Sequence, residues 1–129
     1  ELGVELDYGE RRGEVRLRIN AGSLDATVRG DPELNAHLTL MPHLAAPLRI
    51  GEQEFPLKDP VTLPAAADDR WLQHDRARIM LPAGVALDWP VLPHNPYRKD
   101  GSARPAEGRI VLTTPMDGKS RTFRIEITP

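Results

Sequence analysis

Glu14-Val15-Arg16-Leu17-Arg18-Ile19-Asn20 decides the fold class. Apolar residues fall at every second place, so Val15, Leu17 and Ile19 share one face of an extended chain and the charged residues take the other. A helix would need a spacing of three and four. The same alternation recurs on both sides. Upstream it is shorter, in Val4, Leu6 and Tyr8. Downstream it runs through Leu24-Asp25-Ala26-Thr27-Val28-Arg29, Leu34-Asn35-Ala36-His37-Leu38-Thr39-Leu40, Ala77-Arg78-Ile79-Met80-Leu81, Val85-Ala86-Leu87-Asp88-Trp89 and Phe123-Arg124-Ile125-Glu126-Ile127. Ile110-Val111-Leu112 is a continuous apolar run, the pattern of a strand near a sheet centre.

Turn chemistry separates these runs. Gly9 to Gly13, Asn20-Ala21-Gly22, Gly30-Asp31-Pro32, Asp59-Pro60 and Pro82-Ala83-Gly84 read as turns. Asp117-Gly118 has the composition of a type I′ hairpin turn, which predicts antiparallel pairing between strands near 109–115 and 119–128. Many short one-sided strands with turns every 8–12 residues predict an all-β domain: a two-sheet antiparallel β-sandwich, Ig-like or jelly-roll-like, with at most one short helix. Thirteen prolines argue against long helices. The one helix candidate is Ala65-Ala66-Ala67-Asp68-Asp69-Arg70-Trp71, with Pro64 near its first turn.

The 129 residues fit one domain spanning 1–129, large enough for a real core without disulfide or metal. The first residue is Glu1 rather than Met, and the expectation is a piece of a longer protein. Arg makes up 14 of the 17 basic residues, and Ala and Pro are frequent, a composition that points to a GC-rich bacterial source. Net charge is -2, which leaves no electrostatic footprint for nucleic acid or anionic lipid. There is no cysteine, so thiol catalysis and Cys-type zinc sites are excluded. No apolar run approaches the roughly 20 residues of a membrane helix. Neither compartment nor cofactor is indicated.

The stretch out of scale is Pro90 to Gly108, about nineteen residues without periodicity, longer than most loops in compact domains. It concentrates groups that recognise polar ligands: Trp89 and Tyr97 as apolar faces, Asn95 and Asp100 as acceptors, Arg98 as donor, with His94 beside them. Sugars suit that mixture, having an apolar ring face and a rim of hydroxyls. A structural reading accounts for the same residues. Pro90, Pro93 and Pro96 stiffen the connection, Tyr97 anchors it to a sheet, Asp100-Gly101 turns it, and Trp89 continues the buried Val85–Leu87 face.

His37, His43, His74 and His94 have no metal-ligand spacing. Each reads as exposed or locally hydrogen-bonded, although two of them can meet across strands. Asp68, Asp69 and Asp75 lack the spacing of a calcium loop. Three serines, Ser23, Ser102 and Ser120, lie outside any nucleophile elbow. No catalytic residue and no metal ligand is therefore assigned. The leading expectation is a non-catalytic accessory module of a larger bacterial protein, associated with carbohydrate and with a neighbouring domain of the same protein. The alternatives are a protein–protein interaction or oligomerisation domain, and a small hydrolase or metal-dependent enzyme whose site assembles in space.

Overall fold

A computed structural model describes residues 1–129. It is an all-β sandwich of twelve strands in two antiparallel sheets, with one short 3-10 turn at Pro105–Glu107. The strands are β1 (Leu2–Asp7), β2 (Arg12–Asn20), β3 (Ser23–Gly30), β4 (Asn35–Leu40), β5 (Leu48–Ile50), β6 (Gln53–Phe55), β7 (Val61–Leu63), β8 (Arg70–His74), β9 (Ala77–Leu81), β10 (Ala86–Val91), β11 (Arg109–Pro115) and β12 (Arg121–Ile127). The larger sheet has the order β1-β2-β3-β12-β9-β8-β5-β6, and the smaller β4-β11-β10-β7. No helix is long and apolar enough to cross a membrane.

The alternation sets which side each strand buries. Ala26 of β3, Phe123 of β12, Ile79 of β9 and Leu72 of β8 meet Leu87 of β10 and Ile110 and Leu112 of β11 in one core. The outer face of the larger sheet carries the charges, and across β2, β3 and β12 opposite signs meet. Asp25 stands opposite Arg18 on one side and Arg124 on the other. Arg124 donates to both Asp25 oxygens at 2.8 and 3.1 Å. That bond holds the Asp25 carboxyl below, and the Arg124 guanidinium above, their ordinary ranges. Farther along the same face, the Arg78 guanidinium lies 4.0 Å from the Trp71 ring centroid, so Trp71 serves as a half-buried platform for a cation rather than a core plug.

Two sequence expectations are corrected. Asp117-Gly118 does not close a hairpin. β11 pairs with β4 and β10, β12 with β3 and β9, and the two strands lie in different sheets. Residues 116–120 therefore form a corner between sheets. Only Gly118 takes a positive φ, 82°, where a type I′ turn needs two. Asp117 instead accepts from the Lys119 amide at 3.0 Å and from Arg121 at 2.9 and 3.0 Å. Its carboxyl is lowered to about 2, first by the Arg121 guanidinium. The Gly118 amide donates to the Gly30 carbonyl at 2.9 Å, which fastens the corner to the end of β3.

The helix expected over Ala65–Trp71 is also absent: an irregular link leads into β8. One helical turn has few internal bonds to offset its nucleation cost, and this segment has better partners. The Ala66 carbonyl accepts from Gly84 at 2.9 Å, and the Asp69 carboxylate accepts from the Ala83 amide at 2.9 Å. Arg70 donates to the carbonyls of Pro64 and Val85. The link is thereby stitched to the turn that follows β9.

Candidate functional site

Three regions bear on function: the long loop, a histidine cluster, and the open end of the sandwich beside β1 and β2.

The long loop leaves β10 after Val91 and reaches β11 at Arg109. Trp89 is not part of its exposed surface. Its side chain is 3% exposed, and its ring N–H donates to the Leu57 carbonyl at 3.0 Å. Gly108 lies against it: a Cβ there would sit 2.8 Å from Pro90 Cβ and 3.2 Å from the Trp89 ring. This close approach explains the glycine. The loop tip closes on itself, the Asn95 amide donating to the Gly101 carbonyl at 2.9 Å. Asn95 Oδ1 accepts from the Tyr97 amide at 3.0 Å, and Asp100 from the Ser102 amide at 3.0 Å. The Ser102 bond lowers the Asp100 carboxyl. Arg98 reaches the Ser102 hydroxyl at 3.4 Å, and the His94 ring lies over Gly101. At the far end the Arg104 amide donates to Glu107, which lowers that carboxyl. Tyr97 does not anchor the loop. It is 96% exposed. The polar residues singled out in the sequence are thus brought together, but mostly to bond the loop to itself.

His43 and His74, distant in sequence, meet. The His43 amide donates to His74 Nε2 at 2.8 Å, while His74 Nδ1 lies 3.3 Å from the Pro47 carbonyl. A carbonyl only accepts, so Nδ1 donates to it while Nε2 accepts from the amide. His43 Nδ1 lies 3.3 Å from Asp75. Both His74 nitrogens are occupied, and its neighbours are an amide and a carbonyl, neither of them a nucleophile. His37 lies elsewhere, its Nδ1 3.0 Å from the Thr113 hydroxyl. No group of three His, Asp or Glu side chains is arranged to hold a metal ion.

The third region was not marked out in the sequence. The inner face of the larger sheet continues past the edge of the smaller one. Register places Leu2 opposite Leu17, Val4 opposite Val15, Leu17 opposite Ala26 and Ile19 opposite Leu24, so these side chains share the face that becomes core farther along. Toward β1 the cover ends: Ala26 is buried and Leu17 partly buried against the core, but Ile19 is 83% and Leu2 61% exposed, with Val4, Leu6 and Tyr8 also open. A groove of about 390 Å³ runs between this face and β4, lined by 17 residues of which 11 are apolar, among them Leu6, Val15, Leu17, Val28, Leu38 and Phe123.

β4 borders the groove with an open edge. It pairs with β11 alone. The Met116 amide donates to the Leu34 carbonyl at 2.8 Å, just before the first β4–β11 pair. Antiparallel bonding alternates, so Ala36, Leu38 and Leu40 direct their backbone groups to β11, and Asn35, His37 and Thr39 direct theirs to the groove. The same alternation holds in β1–β2. The Tyr8 amide donates to the Arg11 carbonyl at 2.8 Å, which leaves the backbone groups of Gly3, Glu5 and Asp7 on the outer edge of β1. The sequence signals a strand at β1 and β2 but not whether a second layer lies over it. Comparison of the chain with family models, curated proteins and solved structures finds no match.

Proposed function

We propose that this domain is a protein–protein interaction module, and that its binding surface is the open end formed by β1, β2 and the free edge of β4. One observation carries the reading: a continuous apolar face beside a strand edge whose donors and acceptors lack a strand partner. Contiguous exposed apolar surface of this kind marks interaction sites. An unpaired edge is a ready template for another strand.

The carbohydrate reading of the long loop has weaker support. Its indole is in the core, and Asn95 and Asp100 already accept bonds from within the loop. Tyr97 alone offers an open ring face.

A photo-crosslinking residue placed at Ile19 tests the proposal against the same residue at Tyr97. The expected result is polypeptide adducts at position 19 and none at 97. Adducts at neither position, together with glycan binding that Tyr97→Ala abolishes, would move the function to the loop.

A further inference from the structure

We infer that the occupant of the open end is a second copy of this chain, in an interlocked dimer where β1 of each copy completes the smaller sheet of the other. This deepens the interaction reading above and rests on it.

The two layers differ in strand count at this end. The groove beside β4 is lined on the other layer by residues of β1, β2 and β3, and the open apolar side chains lie on β1 and β2, the two strands of the overhang. At about 4.8 Å per strand the uncovered slot is about 10 Å wide. What one copy lacks beside β4 is therefore what it has in excess opposite: two strands with one apolar face. A twofold axis lying between the layers and parallel to the strands brings the two overhangs face to face. β1 of the partner then lies beside β4, beneath β2, and the partner's β2 lies beneath β1. The same operation fills the partner's slot.

Strand direction agrees. β1 and β3 are parallel to one another, since each is antiparallel to β2. β3 ends where β4 begins, at the corner that holds Gly30, Met116 and Gly118, so β4 runs opposite to both. An axis along the strands preserves direction, so the incoming β1 is antiparallel to β4. The faces agree as well. Leu2, Val4 and Leu6 of the incoming strand point to the same side as Ala36, Leu38 and Leu40. The two free edges carry matching sets, Gly3, Glu5 and Asp7 against Thr39, His37 and Asn35, which form hydrogen-bonded pairs when Glu5 is set opposite His37.

No like charges meet in this register. Within one chain Glu5 stands opposite another acid, Glu14. Across the seam it faces the hydrogen-bonding side chain of His37 and no carboxylate of β4, where like charges directly opposite would destabilise. Area distinguishes this occupant from others. Stable interfaces bury about 800 Å² per partner. A lone strand laid along β4 covers only the slot, whereas the interlock engages two seams and the apolar faces of both overhangs. The simpler twofold pairing of β4 with β4 is sterically blocked, because its axis stands perpendicular to the sheets and drives the two overhangs into each other within one layer.

Sedimentation equilibrium of the chain over a range of concentrations tests the inference. The expected species has twice the chain mass. Val4→Glu should weaken its association by about a hundredfold or more, because the charge is exposed in a single copy and buried without a partner in the dimer. Circular dichroism of the variant separates lost association from lost folding. A second readout is the double variant Glu5→Cys with His37→Cys in this cysteine-free chain. These positions lie on opposite outer surfaces of one copy, too far apart for an internal disulfide. Across the seam they are hydrogen-bonded neighbours and should give a covalent dimer on oxidation. A dimer that Val4→Glu leaves intact, or one in which the two introduced thiols never link, overturns the inference. So does a chain that stays monomeric; if position 19 then crosslinks a different polypeptide, the interaction reading survives without the second copy, and if it crosslinks none, both fall.

Discussion

The two ends of the eight-stranded sheet follow the same sequence rule and reach opposite outcomes. At the β5–β6 end the inner face is covered. Leu48 is fully buried, and the link after β6 folds back so that Leu57 enters the core and its carbonyl receives the Trp89 ring N–H. At the β1–β2 end, side chains of the same kind lie open. Alternation thus selects which side of a strand is apolar, and the opposite layer decides whether that side is dry. The short β6–β7 link supplies a cover at one end. At the other, the chain passes from β3 directly to β4 and leaves the overhang bare.

The largest effect expected from this difference is at the covered end. Leu48→Ala should cost about 2–5 kcal/mol of stability, because the buried site cannot fully collapse around the lost side chain. Urea denaturation reads it. A loss under about 0.5 kcal/mol, the surface range, would mean that the β5–β6 end is as open as the other.

The corner beside the bare end supplies the next test. Asp117 is lowered to about 2 from an ordinary value of 3.8, chiefly by Arg121. A carboxyl lowered on folding contributes stability that is full above its unfolded value and is lost as pH falls through its folded value. That loss should fall between about pH 4 and pH 2. Asp117→Asn should flatten the dependence of melting temperature on pH in that window while leaving the other acids' contributions. Asp25, lowered by Arg124, acts in the same direction and will keep part of the slope. An unchanged slope in the variant would remove Asp117 from the account of the corner.

The smallest effect belongs to the bare end. Leu2→Ala in dilute solution should change stability by no more than about 0.5 kcal/mol, the surface range. Paired with Leu48→Ala, it measures the contrast directly with one chemical change at two places. A loss as large as that at Leu48 would show that Leu2 is covered in the single chain.

Much of the fold was legible in the sequence, and particular residues show where legibility stopped. The period of two in Val15-Leu17-Ile19 and Phe123-Ile125-Ile127 reports side-chain direction, a local property. Strands β5, β6 and β7 are three residues each, too short for a period to register. Asp117-Gly118 is locally a turn under either topology. Whether the strand after it returns beside β11 or crosses to the other sheet depends on the tie from Gly118 to Gly30, far away in sequence. The loop from Pro90 to Gly108 stood out by length, yet its polar residues had no way to reveal that they bond to one another. The open end was hidden for the opposite reason. Its residues look like core, and only the strand count of the facing sheet exposes them.

At the centre stands the pairing of the β4 edge and the β1–β2 face with a second copy of this chain. Amide hydrogen exchange followed against protein concentration tests it most directly. Fast exchange is expected at Asn35, His37 and Thr39 in dilute solution, with protection that rises with concentration there and at Gly3, Glu5 and Asp7. Those six amides exchanging rapidly at every concentration, in a sample whose core strands β9 and β12 stay protected, would contradict it.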